Sequence, residues 1–522
     1  MNEARKRGTS ESGRSTENGT SHPAKSFRQH AAEMRAELVE TIDSRLEQWI
    51  EDACRSMKNG QDERRQTIDE ESIDGGGDPR GKAPHKRLPY KVFCPRDSLL
   101  TTMLKTEHIQ TIYNIFVVVL IVMGFNTFVY DVLEQGRLVF DFSHIFWAFG
   151  DFSTVITLWM AMQAQALVIY PLFQFWIQTR RQANASGAVD VASFIVYTSY
   201  LLLFFYYPIS MLATLDLPPA SSIVVACEQM RFIMKVHSFI RENAAKVLYP
   251  SAELAPGLNK EIPGFSRYLY FLFCPTLIYR DVYPRTPEIR WSYVATNFAQ
   301  VAACLVYTYY MFYRFLIPVL QNTGKAPWNL RSLAMAVFSC ILPGTMVLLL
   351  GFFSLLHSWL NAFAEMTQFA DRQFYKDWWN SRQWGTYYRT WNVVVHDWLH
   401  SYVFRDMEKF FSYNSRCSSI PRFAVFVLSA VVHEYVLVCA FRFFFPVLFV
   451  MFGGFGLGFI YLTNHRQSRL WNIFMWLMLF TGCGLLMCLY SHEWFVRKNC
   501  PMPNATWADY IVPRTLTCNY GE

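Results

Sequence analysis

From Thr111 onward the chain is dominated by apolar runs of the length, about 20 residues, that an α-helix needs to cross a bilayer. Nothing else in the sequence restricts the fold so strongly. Hydrocarbon offers the backbone no hydrogen-bond partners, so a spanning chain must satisfy itself within helices or a closed barrel. The runs fall near 111–130, 145–176, 191–211, 292–318, 333–360, 423–445, 447–463 and 470–490. A further run, 221–240, is interrupted by Glu228, Arg231 and Lys235. Their i, i+3, i+7 spacing gives them one helix face, where they could neutralise each other. Charged residues make up 17% of the 522 positions, against about 25% in soluble domains. The expected fold class is an all-α polytopic membrane protein.

The positive-inside rule argues for counting 221–240 as a span, giving about nine transmembrane helices with the N-terminus cytosolic. The loops with QTRRQ (178–182), 241–290, 366–420 and HRQSR (465–469) then share the cytosolic side. DVLEQG (131–136), ATLDLPPA (213–220) and the hinge at Pro446 lie opposite, and only TGKAPWNLR (323–331) is out of line. Omitting 221–240 would put QTRRQ and HRQSR on opposite sides. The tail after Tyr490 becomes lumenal, where a Cys500–Cys518 disulfide is natural. Asn504-Ala505-Thr506 is then an acceptor sequon in a compartment where it can be used.

Residues 1–26 are polar and rich in Ser, Thr and Gly, which reads as a disordered cytosolic segment. In 27–57, Met34, Leu38, Ile42, Leu46, Trp49 and Ala53 recur at helical steps. This amphipathic helix could pack on its own membrane body or pair with a second copy; self-association is the expectation. A cytosolic linker follows over 58–100, then a transmembrane catalytic domain over 101–490 and a lumenal tail over 491–522. No cleavable signal peptide precedes the first apolar run, so that span should double as the targeting signal. The net charge of +7 is scattered among loops without a basic stripe, which argues against nucleic acid as a partner. Of the 12 cysteines most lie in apolar runs and read as small buried hydrophobes, and no CxxC pair suggests a metal site.

Three polar clusters interrupt the apolar body. In SAVVHEYVLV (429–438), His433 and Glu434 are adjacent, but Leu437 stands where the zinc motif H-E-x-x-H needs its second His. Adjacent helical residues point about 100° apart, so one of the pair should face a reaction space and the other support the helix. His357, Asn361 and Glu365 form a stripe at i, i+4, i+8, read either as an interhelical hydrogen-bond seam or as a substrate path. The loop from Phe374 to Trp398 is dense in Trp and Tyr, with Lys376 and Arg389 suited to phosphates and aromatic faces suited to a purine. A polar, nucleotide-bearing substrate arriving from the cytosol would fit it. A transporter with His433, Glu228 and His357 as a relay would explain the intramembrane ions but not this loop.

FYKDWWN (374–380), WNVVVHDW (391–398) and VVHEY (431–435) together resemble the membrane-bound O-acyltransferases (MBOAT), in the branch holding sterol O-acyltransferases and an acyl-CoA-dependent diacylglycerol acyltransferase. The FYxDWWN motif comprises Phe374, Tyr375, Asp377, Trp378, Trp379 and Asn380. PTLIYRDVYPR (275–285), the unbroken TWNVVVHDWL and the paired-cysteine tail favour the sterol enzymes. The resemblance implies a multi-pass enzyme of the endoplasmic reticulum, a homo-oligomer (dimer or tetramer) whose helices surround an internal reaction chamber. It implies transfer of a long-chain acyl group from acyl-CoA to the 3-hydroxyl of cholesterol, releasing cholesteryl ester and CoA. Diacylglycerol is the alternative acceptor. No cofactor is expected, acyl-CoA being a co-substrate. The family's catalytic His falls on His433 and the paired Asn on Asn392. Tyr388, Arg389, Trp391, His396 and Ser429 are candidate acyl-CoA contacts.

On chemical grounds His433 serves as general base toward the hydroxyl, kept neutral by burial. Asn392 either donates to the thioester oxyanion or orients the imidazole. Ser429, one turn before His433, leaves open an acyl-enzyme route, although direct transfer needs no such step.

Overall fold

The computed structural model describes residues 90–136, 143–183, 186–251, 254–325, 327, 329–411, 419–502 and 506–518. The amphipathic 27–57 segment and Asn504 lie outside them. The expected all-helical character holds: the described residues contain helices and only isolated β-bridges, Arg96 with Asp371 and Arg285 with Phe369. Among them, seven helices are long and apolar enough to cross a membrane. The remaining two expected spans are also helical. Pro219–Leu248 is long but carries charge, and Val447–Thr463 is a shorter apolar helix.

We label the elements that build the site α1 (Glu107–Gln135), α2 (Phe152–Gln182), α3 (Ser186–Thr214), α4 (Pro219–Leu248), α5 (Phe265–Phe273), α6 (Trp291–Leu320) and α7 (Leu330–Met366). Two short helices, α8 (Trp384–Trp391) and α9 (Val393–Trp398), lie in the aromatic loop, followed by α10 (Ile420–Phe441), α11 (Val447–Thr463) and α12 (Leu470–Asn499). The start of α7 is fixed by a capping box, in which Ser332 N–H donates to Asn329 Oδ1 at 2.8 Å. Helices α7 and α12 approach closely because small residues meet there: a Cβ at Gly344 would lie 2.8 Å from the Cys483 carbonyl oxygen. The ladder slips into π-helix at Phe352–Trp359 within α7 and at Val450–Phe455 within α11. Such bulges change which side chains face the interior.

Several ionisable groups within the helical body are paired, as a low-dielectric surrounding favours. Glu228 accepts from Arg231 at 2.7 Å and from Trp159 Nε1 at 2.6 Å. Lys235 does not complete that cluster. Its ammonium donates to the carbonyls of Phe271 (2.5 Å) and Cys274 (2.7 Å), the negative end of α5. The His357, Asn361 and Glu365 stripe is hydrogen-bonded, but to the loop after α7 and to the segments preceding α1 and α6 rather than from helix to helix. His357 Nδ1 lies 2.7 Å from Tyr375 Oη, and Asn361 Nδ2 donates to Ser98 Oγ at 3.1 Å. Glu365 accepts from Arg372 at 2.6 Å and from Arg290 at 2.8 Å.

Because Arg372 and Glu365 are both buried, removing one charge leaves the other stranded, at a cost of about 3–5 kcal/mol. Glu365→Gln should therefore lower the melting midpoint of the detergent-purified protein markedly. An unchanged midpoint would show that the pair is not needed for stability.

Candidate functional site

Aromatic burial organises the loop between α7 and α10. Phe374, Tyr375 and Trp378 are each 1% exposed, whereas Lys376, Asp377 and Asn380 face outward. The Trp378 ring packs against Trp391 (4.5 Å), Phe352 (5.1 Å) and Trp476 (5.5 Å). Backbone bonds then fold the loop on itself: Val393 N–H donates to the Phe374 carbonyl and Lys376 N–H to that of Thr390, each at 2.9 Å. The FYxDWWN motif is thus a wedge with its aromatic residues inside, and it fixes the position of Asn392. Residues 90–98 clamp the same loop from outside, with Arg96 on Asp371 (2.6 Å) and Lys91 on Asp397 (2.8 Å).

Asn392 is the N-cap of α9; its Oδ1 accepts from Val395 N–H at 3.1 Å. That bond orients the side chain and leaves the Nδ2 donors free for another acceptor. Trp391 is packed on Trp378 rather than open. Arg389 is exposed, with a 3.2 Å contact to Thr386 Oγ1. Burial holds the His396 imidazole below its ordinary pKa; Asp397 opposes this, while His400, Arg389 and Lys376 reinforce it. Arg389 and Lys376 are therefore the cations beside an imidazole that burial keeps uncharged near neutrality.

Tyr388 links the loop to the spans. Its ring meets Phe426 of α10 at 5.0 Å and Phe452 of α11 at 4.9 Å. The hydroxyl fills a notch over Gly456, where a Cβ would lie 2.5 Å from it.

On α10 the two polar neighbours diverge as their helical spacing requires. Glu434 is 4% exposed and accepts from Tyr490 Oη (2.8 and 2.9 Å) and Phe449 N–H (2.9 Å). It anchors the start of α11 and is a support. His433 is exposed, which corrects the expectation that burial keeps it neutral. One face of the ring is covered by Phe452 at 5.2 Å. What defines its state is the 2.7 Å contact of Nδ1 with the Ser429 carbonyl. A carbonyl can only accept, so Nδ1 carries a proton, and in the neutral imidazole Nε2 then presents its lone pair. Ser429 touches His433 through this carbonyl, and no bond from its hydroxyl to the imidazole is present among the described residues. No hydrogen bond joins Asn392 to His433 either; any shared role requires a substrate between them.

Sequence reading missed Phe452, Tyr490 and Gly456. The local signal was the run GGFG (453–456), where close approach tolerates no side chain. Far from this site, Cys500 and Cys518 are joined as a disulfide.

The spanning helical body accords with sequence comparison. The family model described as "MBOAT, membrane-bound O-acyltransferase family" matches residues 142–492. The chain belongs to that family and is a multi-pass membrane acyltransferase. Among relatives, it is 47% identical to mouse (Mus musculus) sterol O-acyltransferase 1 over 82% of this chain and 79% of the relative. It is 38% identical to human (Homo sapiens) sterol O-acyltransferase 2 over 94% of this chain and 92% of the relative. The human type 2 enzyme aligns over more of the chain, whereas identity is higher with the mouse type 1 enzyme.

The Gly456 notch is directly testable. Gly456→Ala should push Tyr388 aside and cost about 1–3 kcal/mol. Adding Tyr388→Phe removes the clashing oxygen and should recover most of the lost melting temperature. Equal destabilisation in the single and double variants would refute the contact.

Proposed function

We propose that this chain transfers a long-chain acyl group from acyl-CoA to the 3-hydroxyl of cholesterol, with His433 as general base. The observation that carries the proposal is the Nδ1 anchor on the Ser429 carbonyl, which presents Nε2 as a lone pair at an open edge. The sterol O-acyltransferase names of the relatives supply the acceptor class.

In the proposed reaction the sterol hydroxyl gives its proton to Nε2 as its oxygen attacks the thioester carbon. The carbonyl becomes a tetrahedral oxyanion, which the free Nδ2 donors of Asn392 can stabilise. Collapse breaks the C–S bond, and the CoA thiolate leaves with the proton returned from His433. Positioned acid–base catalysis of this kind supplies roughly 10²–10⁴ in rate. Arg389 and Lys376 suit the phosphates of acyl-CoA, His396 is a neutral hydrogen-bonding group beside them, and Tyr388 and Trp391 hold the loop in place through their packing. Ser429 fits less well as an acyl carrier, because its carbonyl is what engages His433. The transporter alternative loses support because Glu228 and His357 are committed to structural bonds.

The same reading places the protein in the endoplasmic reticulum membrane, with a cytosolic N-terminus, a lumenal C-terminal tail and an internal reaction chamber. It includes self-association through 27–57, no cofactor, and the catalytic domain at 101–490.

Purified protein given labelled acyl-CoA with cholesterol and diacylglycerol in competition should form predominantly cholesteryl ester. Diacylglycerol as the preferred acceptor would move the assignment within the family, and no ester with any alcohol would remove it. His433→Ala should lower turnover by about 10²–10⁴ while acyl-CoA still binds. Asn392→Asp keeps the cap acceptor but loses the Nδ2 donors, so kcat should fall about 10²–10³ with folding retained. Near-normal kcat in that variant would leave Asn392 as a cap alone.

A further inference from the structure

Phe426 and His433 are seven residues apart on α10, which separates them by two turns, about 10.5 Å. The Phe452 ring centroid lies 4.9 Å from Phe426 and 5.2 Å from His433, with interplanar angles of 14° and 21°. These separations together nearly fill the two-turn gap, so Phe452 is intercalated between its neighbours. Three rings form one near-parallel stack with the imidazole at its end. Phe452 reaches this position from the π-helical stretch Val450–Phe455. The start of α11 is tied down by Glu434, which accepts from Phe449 N–H, and by Tyr490 Oη, which accepts from Leu448 N–H at 3.1 Å.

A base that takes a proton becomes a cation, and something must meet that charge. Where a Ser-His-Asp triad does this work, a carboxylate on Nδ1 supplies the compensation. Here Nδ1 meets a neutral carbonyl, and the nearest carboxylate in sequence, Glu434, is buried and committed to Tyr490 and Phe449. No carboxylate contacts the His433 ring among the described residues. What lies against the ring is the electron-rich face of Phe452, well within the roughly 6 Å over which an arene attracts a cation.

We infer that Phe452 is a positioning residue of the acyl transfer: its face sets the plane of the His433 imidazole and stabilises the imidazolium formed when the acceptor hydroxyl gives up its proton. The inference rests on the proposed role of His433 as base. The proton passes from hydroxyl oxygen to Nε2 as the new C–O bond forms, and returns to the departing thiolate as the C–S bond breaks. Phe452 exchanges no atom or electron and acts only on the charged intermediate. An arene–cation contact of this kind is worth roughly 2- to 30-fold in rate.

The test uses the full-length purified enzyme with phenylalanine 452 replaced by its 4-fluoro, 3,5-difluoro and 3,4,5-trifluoro analogues, which keep the shape while draining the ring face. Phe452→Leu and Phe452→Tyr accompany them. Expected are a stepwise fall of kcat across the fluorinated series, a roughly 10-fold loss for Phe452→Leu, and near-normal turnover for Phe452→Tyr. KM for acyl-CoA should stay within about twofold throughout. A kcat that is flat across the fluorinated series, or that tracks melting temperature instead of ring electronics, would overturn the inference. His433→Ala run in parallel separates the two claims. Turnover in that variant removes the base itself, whereas a dead His433→Ala beside a flat series removes only the role of Phe452.

Discussion

The burial of Trp378 is the contact on which the rest of the site depends. One indole touches the π-helical stretch of α7 through Phe352, α12 through Trp476, and the following turn of its own loop through Trp391. Removing a side chain of this size from a packed interior typically costs about 3–5 kcal/mol. The burial converts a polar connection between spans into a rigid element. Once the wedge is seated, the pairing of 374–376 with 390–393 follows, and with it the cap geometry of Asn392. The FYxDWWN motif acts through its aromatic residues on the inside, with its polar residues left at the surface.

Ionisable residues in the helical body divide into two kinds. Glu228, Lys235, Glu365 and Glu434 are committed to nearby donors or carbonyls, so their cost in a low-dielectric setting is offset locally. His433 has one nitrogen committed and one free. A group held but not saturated is what proton transfer requires. The structure keeps it that way by covering one face of the ring with Phe452 and leaving an edge open.

Much of this was legible in the sequence because its determinants are local. Helix length and hydropathy gave the spans, and the angular step between adjacent helical residues separated His433 from Glu434. The i, i+3 relation of Glu228 and Arg231 predicted their bond. Lys235 escaped because its partners are carbonyls at the end of α5, a helix still to come in the chain. Phe452 and Tyr490 escaped for the same kind of reason: each meets α10 from a later helix, and the π stretch shifts the facing of residues in a way that a 3.6-residue period does not anticipate. The expectation of a buried His433 failed because a hydrophobic run reports the character of its surroundings but not which edge of a ring they cover.

The last described segment completes the burial of a carboxylate on α12. Glu493, fully buried at the end of α12, accepts from Arg497 and also from Arg514 N–H, Thr515 N–H and the Thr515 hydroxyl. Two of these three residues follow it by about twenty positions, so α12 on its own leaves the carboxylate only partly answered. The helix end therefore depends on chain synthesised after it folding back, and the Cys500–Cys518 bond encloses much of that return. A chain cut before Arg514 would hold a carboxylate at the end of α12 that it cannot bury at low cost.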